Sequence, residues 1–272
     1  MLEPVFSSEE YFKNLNNFFT SLSQIYKNAE EAYKKELHHF FEVLKNQYKL
    51  VETVEEGFNL RFGANFNVVE IFQPDEVRLS KVIAELLNPK GMHGQKETFL
   101  KCFIKKLKEI FKEVGLKEPL SWLKENLAFR EIIEVFTEVD IGKGRIDILV
   151  KFGRGTSGYE AIAIENKPWA GEQKNQLKRY VEYLKNSSEY SNYLLIFLAE
   201  EGREAYSLGK DEKERRKEKE RLKAESKFLE LSYNRFLKEW IKDCLKECEA
   251  EKVRLFLKDF LFWIEKNFPE KY

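Results

Sequence analysis

The chain has no excess of charge of either sign, because 47 Lys and Arg residues balance 47 Asp and Glu residues. A globally basic nucleic-acid binder is therefore excluded, and any such binding must come from a local patch. The sequence also has no run of about 18 apolar residues, so no membrane partner is expected. Its first residues, MLEPVFSSEEYF, lack the basic start and apolar stretch of a signal peptide. These absences predict a cytoplasmic protein.

Cysteine, proline and glycine are scarce. The three cysteines, Cys102, Cys244 and Cys248, show neither a disulfide framework nor the spaced pairs of a zinc site, so we interpret them as core residues. Six Pro and 13 Gly are too few for an all-β protein with many turns or for a disordered chain. Apolar residues, at 43%, are numerous enough for a sizeable core.

Helical periodicity dominates the two ends of the chain. Apolar residues recur at spacings of three and four from residue 8 to 50 and again over 233–268, which predicts amphipathic helices. Residues 51–73 are ambiguous, because an alternation of apolar residues there also allows a short hairpin. We therefore predict a helical N-terminal region, residues 1–73, packed on the core of a domain at 74–272.

That domain begins with a helix signal. Asp75 is a good N-cap for a helix from Glu76 to about Leu87, which Asn88-Pro89 ends. A second amphipathic helix carries Phe99 to Phe111 at helical spacing.

Strand patterns begin at about residue 129. Residues 145–152 (RIDILVKF) and 159–165 (YEAIAIE) are rich in β-prone residues and predict a hairpin. A helix is predicted from about Gly171 to Asn186. The apolar run at 193–199 is typical of a strand buried on both faces.

A charge-rich stretch at 210–225 is either a solvated helix or a mobile segment. The order of elements predicts an α/β fold. We expect a central mixed sheet of four or five strands flanked by helices, with helical parts at the N- and C-termini.

Two strands of the predicted hairpin carry a group of charged residues. Asp147 lies within an apolar strand, where a carboxylate is costly unless it is paired or bound to a cation. Glu165 and Lys167 end the next strand two residues apart, so they point to the same face. Two carboxylates are hard ligands for Mg²⁺, the backbone carbonyl of Asn166 is a further ligand, and a lysine can stabilise developing negative charge. Each residue alone also suits an ordinary buried ion pair.

Asp147 followed by Glu165-x-Lys167 on a hairpin resembles the PD-(D/E)XK nuclease superfamily. Gln176 and Tyr180 share a helix face one turn apart and are similar to the third motif of its RecB-like branch. Together with stretches such as Asp75–Ser80 and Ile164–Gln173, these motifs resemble a bacterial PD-(D/E)XK family of uncharacterised proteins over roughly residues 75–265. Where the superfamily's name has Pro-Asp, this chain has Ile146-Asp147.

The resemblance implies a restriction-endonuclease-like core and metal-dependent hydrolysis of DNA. It implies that Asp147 and Glu165 bind Mg²⁺ or Mn²⁺, that Lys167 serves the attacking water, and that Gln176 lies near the phosphate with Tyr180 beside it. Either Glu76 or His93 completes the metal shell.

Other functions remain open at this level. The alternative is a catalytically silent or partner-dependent nucleic-acid-binding subunit with the same fold. DNA is favoured over RNA as the substrate, and both a homodimer and association with a partner subunit stay open.

Overall fold

The computed structural model describes residues 8–63, 66–117, 132–153 and 158–270. It contains two compact units, Met1–Phe66 and Asn67–Tyr272. The predicted division into 1–73 and 74–272, with the first region packed on the second, stays a prediction. None of the helices in the described ranges is long and apolar enough to cross a membrane. The cytoplasmic location stays a prediction.

The first unit contains one helix, α1 (Ser8–Phe62). Acidic Glu9 and Glu10 in the first turn and Arg61 in the last turn complement the helix dipole. The hairpin considered for residues 51–73 is not formed, because residues 51–62 continue α1. In the continued helix, Val51, Val54 and Phe58 lie on the same face as the apolar residues that precede them. An extended strand would not place them on one face.

Large apolar residues of α1 are exposed to solvent. At 100° per residue most of them fall within a sector about 160° wide, which we call the α1 stripe. The α1 stripe consists of Tyr11, Phe12, Leu15, Phe18, Phe19, Leu22, Ile25, Tyr26, Tyr33, Leu37, Phe40, Phe41, Val43, Leu44, Tyr48, Val51, Val54 and Phe58.

The second unit is built on a five-stranded sheet with the order β1-β2-β3-β4-β5. The strands are β1 (Ile132–Asp140), β2 (Arg145–Gly153), β3 (Tyr159–Lys167), β4 (Tyr190–Ala199) and β5 (Phe228–Ser232). Neighbours are antiparallel from β1 to β3 and parallel from β3 to β5. The predicted mixed sheet is thus confirmed. The predicted strand start near residue 129 lies outside the described residues.

Helices cover both faces of the sheet. They are α2 (Val68–Phe72), α3 (Glu76–Leu87), α4 (Thr98–Glu113), α5 (Gln176–Asn186), α6 (Glu212–Ala224), a π-helix (Tyr233–Leu237), α7 (Lys238–Glu247) and α8 (Glu251–Asn267). One core places α3, α4, α7 and α8 against one face, and a second core places α5 and α6 against the other. The predicted α/β fold of restriction-endonuclease-like type is confirmed.

Several predicted elements differ in detail. Strand β5 was missed, because five residues after a charged helix give too short a pattern to recognise. Helix α5 begins at Gln176 rather than near Gly171, with Asn175 in a left-handed conformation at its N-cap. The charge-rich stretch is a helix, α6, anchored by the fully buried Leu222. The C-terminal helical region is broken into the π-helix, α7 and α8.

Candidate active site

Three charged side chains of adjacent strands meet at one end of the hairpin. The register pairs Ile148 of β2 with Ile164 of β3, which brings Asp147 and Glu165 to the same end of the two strands. Lys167 Nζ lies 2.8 Å from Glu165 Oε1 and 3.9 Å from Asp147 Oδ2. All three residues are buried. The three predicted catalytic residues therefore form one cluster.

A fourth charge comes from helix α3 on the other face of the sheet. Asp75 caps this helix by accepting from the Arg78 amide at 2.8 Å, as predicted, and so fixes where the first turn begins. Glu76 lies in that first turn and accepts a hydrogen bond from Lys167 Nζ through Oε1. The fold thus brings Glu76, 91 positions before Lys167 in the chain, into the cluster.

Asn166 links the two faces of the sheet. Its backbone amide donates to Asp147 Oδ2 at 2.7 Å, while its side chain points to the opposite face from Glu165 and Lys167. There Nδ2 donates to Ser80 Oγ at 3.0 Å and to the Glu76 carbonyl at 3.3 Å, and Oδ1 accepts from the Tyr233 hydroxyl at 2.5 Å. Asn166 therefore ties the first turn of α3 to β3 and the π-helix.

Gln176 and Tyr180 approach the cluster from helix α5. Gln176 Nε2 donates to Glu165 Oε1 at 2.6 Å and to the Tyr180 hydroxyl at 3.0 Å. The Tyr180 hydroxyl donates to the carbonyl oxygen of Arg145 at the start of β2. Tyr180 has no exposed surface. In this arrangement Gln176 orients the Glu165 carboxylate, and Tyr180 joins α5 to β2.

Two further residues, to which the sequence analysis assigned no role, hold the N-terminus of α5. Ser207 Oγ accepts from the Leu177 amide at 3.0 Å. The buried Glu172 carboxylate accepts from the Ser207 amide at 3.0 Å and from the Tyr206 amide at 2.8 Å. A serine 30 residues downstream carries no local pattern that could predict this contact.

The cluster contains more negative than positive charge. Burial raises the pKa of Asp147 to about 6, and the Lys167 ammonium and the Asn166 amide, which each lower the pKa, offset only part of that rise. Burial and the nearby Asp147 carboxylate raise the pKa of Glu165. For Lys167 burial alone lowers the pKa, but Glu165 and Asp147 outweigh it and raise the pKa overall. Three carboxyl groups therefore lie beside one ammonium group in a buried site. This arrangement lowers the stability of the folded protein.

Comparison with known proteins agrees with this geometry. A family model described as the PD-(D/E)XK nuclease superfamily matches residues 65–261, most of the chain. This chain belongs to the PD-(D/E)XK nuclease superfamily. No curated protein and no solved structure gives a match. Membership of the RecB-like branch stays a prediction.

The residues of this PD-(D/E)XK site fit a divalent cation. Glu76 Oε2 and Glu165 Oε2 are buried and have no hydrogen-bond partner, so two hard oxygen donors are left for a cation. In the described ranges no three His, Cys, Asp or Glu side chains form a ready-made metal cluster. The Lys167 ammonium lies among the carboxylates of Glu76, Asp147 and Glu165.

His93 is placed differently from Glu76. Its Nδ1 accepts from the Gln95 amide at 3.0 Å, which leaves Nε2 to donate to the Asn88 carbonyl at 2.9 Å. Both ring nitrogens therefore hold the loop after α3. Of the two candidates for completing the metal shell, Glu76 lies beside Lys167, whereas His93 is held in this loop.

Proposed function

We propose that this PD-(D/E)XK protein is a nuclease that hydrolyses phosphodiester bonds of DNA with Mg²⁺ or Mn²⁺. The observation that carries the proposal is the convergence of Glu76, Asp147, Glu165 and Lys167, with two buried carboxylate oxygens left unpaired. Unsatisfied buried carboxylates destabilise a folded protein, and a divalent cation offsets that cost by neutralising them.

Each residue has a role in this proposal. Glu76, Asp147, Glu165 and the carbonyl of Asn166 would hold the cation. The bound cation would supply Lewis-acid activation of the phosphodiester and of the attacking water.

The remaining residues prepare the site. Lys167 is held by Glu76 and Glu165 and would stabilise the charge that develops on the phosphate. Gln176 fixes the rotamer of Glu165. Tyr180, buried below Gln176, acts on the position of α5 and β2 rather than on the substrate.

The test is cleavage of linear, circular and single-stranded DNA, and of RNA, by the purified full chain with Mg²⁺, Mn²⁺ or a chelator. We expect cleavage of DNA that needs the metal. Asp147→Asn and Lys167→Ala should each reduce the rate by at least about 100-fold, as removal of one group that stabilises the transition state does. The circular substrate separates endonucleolytic from exonucleolytic cleavage.

Matched controls exist in the same unit. Lys151 is a largely buried lysine paired with Glu189 at 2.5 Å, and Asp243 is a largely buried aspartate paired with Lys106 at 3.1 Å. Lys151→Ala and Asp243→Asn should therefore leave the cleavage rate per folded molecule unchanged. Cleavage that survives Asp147→Asn would show that the site is elsewhere.

The same assay decides the alternative function. A wild-type chain that binds DNA but cuts neither DNA nor RNA with any metal would be a silent or partner-dependent binding subunit. Cleavage of RNA in preference to DNA would overturn the substrate that we propose.

A further inference from the structure

Helix α1 presents an apolar surface that is too large to be left in water. Its ten aromatic stripe residues are each between 55% and 75% exposed. At 150–250 Å² for a whole aromatic side chain, they alone expose roughly 1,000 Å² of surface. The largest apolar patch of an ordinary monomer is about 300–600 Å². We therefore expect another polypeptide surface to cover this apolar surface.

The length of the α1 stripe limits what that occupant can be. From Tyr11 to Phe58 the stripe extends about 70 Å along the helix, at 1.5 Å per residue. A compact body of about 200 residues, such as the unit Asn67–Tyr272, is only about 45 Å across. No compact body of that size can cover the whole stripe, whereas a second helix of the same length can.

We propose that α1 is a self-association surface, and that the α1 stripe of one chain packs against the α1 stripe of a second copy. The area agrees with this, since about 800 Å² per partner suffices for a specific interface and the aromatic residues alone exceed that. The stripe also keeps to one face over its whole length, so two copies match each other along the entire helix. A pair of chains would carry two PD-(D/E)XK sites.

Light scattering coupled to size-exclusion chromatography of the full chain tests the proposal. The wild-type protein should have twice the mass of one chain. Leu22→Glu combined with Leu44→Glu places two charges in the centre of the stripe and should give a monomer. The matched control, Gln24→Glu combined with Thr53→Glu, adds the same charges on the opposite side of the helix and should stay dimeric. A wild-type monomer, or a dimer that survives Leu22→Glu/Leu44→Glu, would overturn the proposal.

Hydrogen exchange of the wild-type chain tests the same surface without a variant. Amides of α1 should be protected at high protein concentration and lose protection by at least about tenfold on dilution, because pairing is a mass-action equilibrium. Amides of β2 to β4 should not change. Protection of α1 that is independent of concentration, in a chain that light scattering shows to be a monomer, would mean that the stripe is covered within one chain, and the proposal would be wrong. Neither measurement depends on nuclease activity.

Discussion

At the residue scale, the buried charges of the candidate site lower the stability of the folded protein. Asp147 lies within an apolar strand, and the fold compensates it with one amide hydrogen bond and a lysine at 3.9 Å rather than a full ion pair. The pKa of a carboxylate rises when burial outweighs such compensation, and that rise is a cost to the folded state at neutral pH. Functional sites are where a fold tolerates this cost.

We predict that Asp147→Asn stabilises the metal-free protein at neutral and alkaline pH. Because the pKa of Asp147 is raised, the folded state binds more protons than the unfolded state between the ordinary pKa of aspartate, about 4, and the raised value. Stability is therefore lost as pH rises through that window and stays lower above it. Asparagine does not ionise, so the variant does not lose this stability. In the presence of a chelator its unfolding temperature should be a few degrees higher than that of the wild type, which corresponds to about 1 kcal/mol of unfolding free energy.

The gain should shrink as pH falls through the window and vanish well below pH 4, where the wild-type carboxyl is protonated in both states. Asp243→Asn is the control with the opposite sign. Burial raises the pKa of Asp243, but hydrogen bonds from Lys246 and Lys106 outweigh that effect and lower it overall. Asp243→Asn should therefore lower stability at neutral pH. An Asp147→Asn protein that is less stable than wild type at alkaline pH would contradict the prediction.

At the scale of elements, the site depends on contacts between segments that are distant in sequence. Helix α3 packs on one face of the sheet and α5 on the other, and the carboxylates lie where the two layers meet the strand ends. Asn166 connects the two layers. Its side chain reaches Ser80 and the Glu76 carbonyl of α3, while the carboxylate of the preceding residue, Glu165, accepts from Gln176 of α5.

We predict that Asn166→Ala loosens α3 and weakens metal binding. The substitution leaves the buried Tyr233 hydroxyl without its hydrogen-bond partner and removes the bond that Ser80 Oγ accepts, although Ser80 Oγ still donates to the Glu76 carbonyl. This should cost about 2 kcal/mol of unfolding free energy. It also frees the first turn that carries Glu76. Mn²⁺ should raise the unfolding temperature of Asn166→Ala by less than that of the wild type. The variant should also need a higher Mn²⁺ concentration to reach half of its maximal shift.

Asn234 provides the control for that measurement. It is buried in the same unit and donates to Glu201 Oε2 at 2.5 Å. Asn234→Ala should lower stability by a similar amount and leave the response to Mn²⁺ unchanged. An equal response to Mn²⁺ in wild type and Asn166→Ala would show that Asn166 does not position Glu76.

At the scale of the whole molecule, two units share one chain but only the second has described cores. Both apolar cores consist of residues from Val68 onward. We predict that a fragment of residues 66–272 folds by itself and unfolds cooperatively within a few degrees of the full chain. Circular dichroism and thermal unfolding measure this, and an aggregated or unfolded fragment would contradict it.

A shorter fragment, residues 74–272, is the matched comparison and tests the division predicted at residue 73. It lacks buried Val69 and the hydrogen bond that Asn67 Nδ2 donates to the Asp259 carbonyl at 2.9 Å. We expect it to be less stable than the longer fragment by about 2 kcal/mol. Equal stability of the two fragments would place the boundary at residue 73.

The sequence by itself determined the features that repeat locally. The helix at Glu76–Leu87 and its Asp75 cap, the hairpin strands and the doubly buried strand β4 were predicted because their signals lie within a few neighbouring residues. The same two-residue period placed Glu165 and Lys167 on one face, and the spacing of Gln176 and Tyr180 placed both on one face of α5.

Only the tertiary structure decided which distant residues meet. It brought Glu76 rather than His93 to Lys167, turned Asn166 toward Ser80 and Tyr233, and left Glu76 Oε2 and Glu165 Oε2 unpaired. It also paired β5 with β4, although the five residues of β5 carry no clear pattern. These outcomes depend on how the helices pack around the sheet. Contacts between residues that are 33 to 91 positions apart have no period that a single sequence can show.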